Sequence, residues 1–315
     1  MPELPEVHTT STELNKVLPG LVIHDVWTDY QSHLYEGKKQ IKSKKYFKQF
    51  KKDVVGAKIK NVSRRGKNVL IHLAAGNTVV VHMKMTGHLL VGRYTKRAGS
   101  SQAKIPEAWR GQKWIPVSER SPLRDPINRF IHLVFSLSSG KSLALSDVRK
   151  FAKISVTPTK ELEKTEGLIR LGPDALGKFS FKQFKERLCQ KPNGKIKQVL
   201  MDQEIIAGIG NIYSDEMLWR SSIHPLSKVS KIPNKELQNL YQAMKQVLKK
   251  GIDFGGDSDS DYRQPSGLAG RFQEKHRAYR KTGQPCEKNG CSGIIKRIKV
   301  GGRSAHFCAI HQKLF

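Results

Sequence analysis

Four residues near the end of the chain carry the spacing of a metal centre, Cys286-x4-Cys291-x16-Cys308-x2-His311. Two close pairs so separated suit two β-turns that bring soft ligands around a tetrahedral Zn²⁺, and a closed four-ligand set is structural rather than catalytic. His306, in the same predicted strand as Cys308, is the weaker alternative for the fourth ligand. Cys189 falls on an apolar helix face and is expected in a core. Gly208-x-Gly210-Asn211 allows two tight turns into a helix, whose free amides would suit a phosphate; a plain C-cap turn explains the same residues. At the other end, removal of Met1 would expose the secondary amine of Pro2. Such an amine titrates near ~8 and condenses with aldehydic carbons to give iminium ions. Glu3 and Glu6 lie within one turn of it and could shuttle protons. The alternative is a proline that only marks the start of a helix.

These residues need elements to hold them. The opening predicts a helix with Val7, Leu14, Val17 and Leu18 on one face, and Pro5 and Glu6 suit its first turn. Strands are predicted over 58–63, which alternates, and over 68–73 and 78–83, which flank a turn at 74–77. A second hairpin is predicted from 130–137 and 141–146 around Ser138-Ser139-Gly140. The polar stretch 93–125, with three prolines, reads as a long loop or insertion. Beyond residue 157 the period becomes helical. Ser180 and Asn234 are the expected caps of two helices, the second striped with Leu237, Leu240, Tyr241, Met244, Val247 and Leu248. Residues 157–165 would form a linker and the Gly/Ser/Asp-rich residues 253–267 a mobile loop.

The partner is announced by charge. Lys and Arg exceed Asp and Glu by 57 to 27, a net +30 that demands a polyanion: nucleic acid first, an anionic membrane surface second. Residues 38–67 alone hold thirteen Lys/Arg against one acid, Asp53. No apolar run is long enough to span a bilayer, and no secretory signal is expected at the N-terminus. Four cysteines disfavour a secreted disulfide scaffold. The alternating acids Asp257, Asp259 and Asp261 do not make an EF-hand, which would need Gly at the position of Tyr262 and Glu at that of Leu268.

Taken together, these pieces resemble one group over almost the whole chain: the formamidopyrimidine-DNA glycosylase/endonuclease VIII family of base-excision repair enzymes. The resemblance rests on Pro2-Glu3-Leu4-Pro5-Glu6-Val7, Arg64-Arg65-Gly66-Lys67, Val81-His82-Met83-Lys84-Met85-Thr86-Gly87, Asp147-Val148-Arg149-Lys150-Phe151, the turn at 208–213, and the cysteine tail with Arg303. It implies an α+β fold: an N-terminal β-sandwich domain with a leading helix (1–156), a helical domain with a helix–two-turn–helix (166–270), and a β-hairpin zinc finger (271–315). It further implies that Pro2 is the nucleophile and Glu3 the essential acid, with Glu6 a second acid and Lys67 a phosphate contact beside the lesion. Met85, Arg149 and Phe151 resemble the side chains that fill the space left by an everted base, Phe151 splitting the stack and Arg149 bonding the orphaned cytosine. His82 and Lys150 fall in the same DNA-contacting motifs, Lys197, Asn211 and Arg303 resemble phosphate clamps, and the loop with Ser258 and Tyr262 resembles the cover over the everted base.

The activity so implied is excision of 8-oxoguanine and formamidopyrimidines from duplex DNA, followed by β,δ-elimination. One structural Zn²⁺ at Cys286, Cys291, Cys308 and His311, damaged double-stranded DNA as partner, a monomer, and a place in the cytoplasm beside a bacterial nucleoid, or wherever the genome resides, are expected. Some features depart from the family pattern. The first cysteine pair spans four residues, the fourth ligand is His311, Lys150 and Ala152 flank Phe151, residues 38–52 and 93–125 look like additions, and the lesion loop carries Asp257 and Asp259. Two rivals stand beside this reading: an endonuclease VIII-like enzyme for oxidised pyrimidines, and a catalytically silent DNA-binding relative. Leu4 with the Arg149/Phe151 wedge argues against the first, and the joint presence of Pro2, Glu3 and Lys67 against the second.

Overall fold

The computed structural model describes residues 2–96, 107–118 and 120–315. The chain divides into two compact units, one taking Pro2, Glu6–Glu166 and Gly255–Gly270, the other Glu3–Pro5, Gly167–Phe254 and Arg271–Phe315.

Helix α1 (Leu4–Val17) leads into the strands. Val7, Leu14 and Leu18 are buried, but Val17 is exposed, because ten residues at 3.6 per turn carry it about 80° around from Val7. Strands β1 (Ile23–Thr28), β2 (Ile59–Arg65), β3 (Asn68–Leu73), β4 (Asn77–His82) and β5 (His88–Gly92) follow, with helix α2 (Lys44–Val54) between the first two. After the short β6 (Tyr94–Lys96) and β7 (Trp114–Pro116) come β8 (Ile131–Leu137), β9 (Ser142–Ser146) and β10 (Lys153–Pro158). They form two antiparallel four-stranded sheets, ordered β1-β8-β9-β5 and β10-β4-β3-β2. Leu133, Phe135, Leu143 and Leu145 of one sheet share a core with Val69, Ile71, Val79 and Val81 of the other, so the unit is a β-sandwich.

The basic stretch is not a bare solvated run. Ser43 caps α2, and Phe50 and Val54 on its inner face enter the sandwich core while its lysines stay outside. The stretch 93–125 is likewise no plain loop, although residues 97–106 and Glu119 lie outside the described ones. Side chains alternate across a strand, so β8 sends Leu133 and Phe135 inward and Val134 outward. That outward face, with Leu90 and Ala144, is covered by Trp114 and Leu123. Residues 255–270 join this unit through Val91 N–H to the Pro265 carbonyl (2.8 Å), Arg263 to Asp125 (3.0 Å) and the Tyr262 hydroxyl to the Glu6 carbonyl (3.1 Å). The expected mobile loop is thus tied down.

The second unit holds α3 (Phe181–Cys189), α4 (Ile196–Met201), α5 (Asn211–Arg220) and α6 (Asn234–Asp253), followed by a hairpin of β11 (Ile295–Val300) and β12 (Arg303–Cys308). Ser180 caps α3 in a reciprocal box with Gln183. Cys189, placed in a core by its helical spacing, is exposed: it is the last residue of α3, where the stripe of Phe184 and Leu188 has ended. Asn234 is the first helical residue of α6 rather than its cap, and Pro233 before it offers no side-chain bond. The predicted α6 stripe is buried throughout. Gly301 and Gly302, both at positive φ, make the two-residue turn that joins Val300 to Arg303.

Candidate active site and metal centre

Pro2 and Glu3 are both buried. The Glu3 carboxylate sits on the N-terminus of α5: Oε1 accepts the Ile212 N–H at 2.9 Å and Oε2 the Tyr213 N–H at 3.3 Å. A helix start presents unpaired amides and partial positive charge, which suits a carboxylate. The amides expected to await a phosphate are therefore taken by a side chain from 209 residues away. Two glycines make the fit possible. A Cβ on Gly210 would lie 2.3 Å from Glu3 Cδ, and one on Gly208, at φ +110°, would lie 2.2 Å from Leu4 Cδ1. Gln203 fastens the turn by donating to the Ile209 carbonyl (2.8 Å) and accepting from Gly208 N–H (2.9 Å).

Glu6 is buried in the first unit, where its Oε1 accepts the Asp257 N–H at 2.7 Å. Ser258 closes the same loop, donating to the Tyr262 carbonyl (2.8 Å) and accepting from Gly270 N–H (2.7 Å). Tyr262 turns its side chain inward. Its hydroxyl is buried against Glu6 and Thr10, and it roots the loop. Lys67 is buried beside the Gly66 turn that joins β2 to β3. Burial, with Lys84 and Lys67 nearby, pushes the His82 imidazole down to about 3, so the ring is neutral at physiological pH; its Nδ1 accepts the Lys84 N–H at 3.0 Å.

The loops bearing Met85, Arg149, Lys150 and Phe151 meet around one buried carboxylate, Asp147, for which the sequence reading gave no role. Asp147 Oδ1 accepts from the Thr86 hydroxyl, whose oxygen in turn accepts the Arg149 N–H at 3.1 Å. Oδ2 accepts from the Tyr30 hydroxyl (2.7 Å) and from Ala152 N–H (2.9 Å). Burial and this carboxylate hold the Tyr30 phenol well above its ordinary range, so it remains a donor. The result is an outward-facing pair: Phe151 is 45% exposed, and the Arg149 guanidinium lies 4.4 Å from its ring centre. Met85 is half-buried in the adjoining loop. An acid directly after an all-buried strand was the available signal for Asp147.

In the second unit Lys197 is fully buried and cannot reach a phosphate in this geometry. Its Nζ is 2.5 Å from Asp215 Oδ1, 3.2 Å from Ser214 Oγ and 3.3 Å from the Asn211 carbonyl. Asp215 Oδ2 accepts both the backbone N–H (3.0 Å) and Nδ1 (2.9 Å) of His306, tying β12 to α5. His306 is thereby committed elsewhere than the metal set. Asn211 heads α5 half-exposed, and Arg303 is exposed at the start of β12.

Cys286, Cys291, Cys308 and His311 bring their ligand atoms within 4.8 Å of one another. Cys291 Sγ and Cys308 Sγ are 3.6 Å apart, and Cys286 Sγ lies 3.3 Å from His311 Nδ1. Bonds of about 2.3 Å to a tetrahedral ion set the sulfur–sulfur edge at ~3.8 Å, so the four fit a metal. His311 Nε2 faces the Trp219 carbonyl at 3.1 Å, which as an N–H donor fixes the tautomer that turns the Nδ1 lone pair inward. The Trp219 indole N–H meets Cys286 Sγ at 3.4 Å. Among the described residues no helix is long and apolar enough to cross a membrane.

Comparison with known proteins matches this arrangement. Residues 1–154 match the formamidopyrimidine-DNA glycosylase N-terminal domain, and residues 171–263 the formamidopyrimidine-DNA glycosylase H2TH domain. A formamidopyrimidine-DNA glycosylase of Pelotomaculum thermopropionicum is 34% identical over 314 residues, covering all of both chains. The Lactococcus lactis Fpg, solved in complex with DNA containing an abasic site, is 29% identical, with TM-score 0.77 over 99% of each chain. A variant of that protein solved with Fapy-dG-containing DNA is 29% identical, with TM-score 0.78 over 99% of this chain and 100% of the other. Sandwich, helix–two-turn–helix and Cys3His hairpin on one chain define a DNA glycosylase of the base-excision repair class. The chain belongs to the formamidopyrimidine-DNA glycosylase family.

Proposed function

We propose that the protein excises oxidised purines, 8-oxoguanine and formamidopyrimidines, from duplex DNA and then cuts the strand through an N-terminal proline Schiff base. The observation that carries this reading is the seating of Glu3, next in the chain to Pro2, on the first amides of α5. A carboxylate held by two N–H donors keeps one orientation beside the amine, as positioned proton transfer requires.

In this mechanism Phe151 and Arg149 enter the space left by the everted base. The Pro2 nitrogen, free once Met1 is removed, gives its lone pair to C1′. The C1′–N bond breaks and the base leaves with that electron pair and a proton. Glu3 supplies a proton to O4′ as the C1′–O4′ bond opens, leaving an iminium between Pro2 and C1′. Loss of a C2′ proton expels the 3′ phosphate, and a second elimination expels the 5′ phosphate. Lys67, Lys150 and Arg303 neutralise phosphates, while Asn211 and the neutral His82 ring contact the DNA without charge. Lys197 acts indirectly, through Asp215, on the helix that Glu3 caps.

The metal is zinc and structural, since the four ligands leave no open position. The protein is a monomer that works on double-stranded damaged DNA wherever the genome lies, and the three segments 1–156, 166–270 and 271–315 serve as catalytic, DNA-binding and finger regions, except that 255–270 pack with the first. The test is a duplex panel with 8-oxoguanine, a formamidopyrimidine and an oxidised pyrimidine. Fastest excision of the purine lesions, with strand cleavage and a gap bounded by two phosphates, is expected. Preference for the pyrimidine, or excision without cleavage, contradicts the reading.

A further inference from the structure

We propose that Lys42 is a positioning residue for opening the base stack, its ammonium holding the turn that presents Arg149 and Phe151. The inference rests on the wedge role proposed above for those two side chains. Lys42 is only 4% exposed, and a lysine is rarely buried without a specific partner. Its Nζ donates to the Lys150 carbonyl at 2.6 Å and lies over the rings of Tyr35 (4.8 Å) and Tyr30 (5.4 Å). Lys150 is left-handed, with φ +53°, a conformation that a residue with a long side chain adopts only when its surroundings impose it. A charge-assisted bond to the carbonyl of that residue is such an imposition.

The geometry of the wedge depends on this turn. Lys150 lies between Arg149 and Phe151, so its left-handed bend sets the directions in which the two side chains leave the backbone, and the Arg149 guanidinium meets the Phe151 ring at 4.4 Å across it. The strut itself is stiff. Ile41 N–H bonds the Ile154 carbonyl at 3.1 Å, the Lys42 carbonyl accepts Ser32 N–H at 2.9 Å, and Ser43 begins the cap of α2. The basic segment thus does more than add charge: one of its lysines is turned inward to the wedge. Tyr30 serves the same turn twice, under the ammonium and through Asp147.

The test compares Lys42→Met with the unaltered full-length protein on two substrates. On a duplex with 8-oxoguanine opposite cytosine, single-turnover excision is expected to fall about tenfold with little change in half-saturating enzyme concentration. On a single strand carrying an abasic site, where no stack needs opening, the loss in borohydride trapping is expected to be at least five times smaller. A 2-aminopurine placed beside the lesion reports stack opening directly, and its fluorescence rise is expected to slow in parallel. Equal losses on both substrates, or an unchanged fluorescence rise, overturn the proposal. Phe151→Ala separates the two claims: if it leaves the fluorescence rise intact the wedge reading itself fails, whereas a slowed rise in Phe151→Ala but not in Lys42→Met removes only the strut. Should Lys42→Met not fold by circular dichroism, Tyr35→Leu decides, with a smaller slowing in the same direction expected and no slowing contradicting the role.

Discussion

Glu3 and Gly210 are matched in shape: the carboxylate that receives the Ile212 amide occupies the space where any side chain at 210 would begin, with a Cβ there only 2.3 Å from Glu3 Cδ. Gly210→Ala must displace either the carboxylate or the turn. Misplacing a reacting group by about 1 Å can cost around a hundredfold in rate. Base excision by Gly210→Ala is expected to fall by that order while affinity for an uncleavable lesion analogue stays within a few fold. Single-turnover kinetics with parallel binding isotherms check it, and unchanged excision would mean that Glu3 orientation does not matter.

Asp215 neutralises Lys197 inside the second unit and bonds His306 as well. Removing one partner of a buried pair leaves an unsolvated charge, at a cost of roughly 3–5 kcal/mol. Asp215→Ala is expected to lose stability on that scale in urea unfolding, and Lys197→Met in the same background to recover part of it. A loss below ~1 kcal/mol would show the pair to be solvated in solution.

Chelation and His311→Ala test the metal set. One equivalent of zinc per chain is expected by elemental analysis, lost in His311→Ala along with most DNA affinity. Because the Trp219 indole touches Cys286 Sγ, indole emission should shift as the metal leaves. Full metal retention by His311→Ala would exclude it as a ligand.

Acid should weaken the first unit through His88, which is fully buried and held down to about 4, chiefly by burial, against Asn128 and the Thr86 carbonyl. Between its ordinary value near 6.5 and about 4 the unfolded chain binds a proton that the folded one does not, so stability falls as pH falls. The slope rises from half of ~1.4 kcal/mol per pH unit at pH 6.5 toward the full value below it, so the decline from pH 6.5 to 5 is about 1.5 kcal/mol from this group. Thermal unfolding across that range checks it, and a His88→Gln variant should show a shallower slope.

The sandwich was legible because its apolar runs are bounded by turn residues: residues 68–73 were read as a strand, and β3 occupies those positions with nearly continuous burial. Helix α2 was hidden by its lysines, although Tyr46, Phe47, Phe50 and Val54 lie at helical spacing and all turn inward. The clustering of Cys286, Cys291 and Cys308 was readable from spacing, with His311 preferred over His306 as the fourth member. What could not be read were bonds between residues far apart in sequence, such as Glu3 with Ile212 or Tyr30 with Asp147, since no local pattern encodes a partner more than a hundred residues away. The inward turn of Lys197 was missed for the same reason: the family resemblance implied a phosphate clamp, and nothing local in the sequence shows Asp215 against it.

The most direct test traps the enzyme on a duplex containing 8-oxoguanine with borohydride, digests the adduct, and locates the deoxyribose remnant by peptide mass spectrometry. The remnant is expected on the nitrogen of Pro2, in a chain lacking Met1. A remnant on a lysine, or full activity in a chain that retains Met1, would contradict the account.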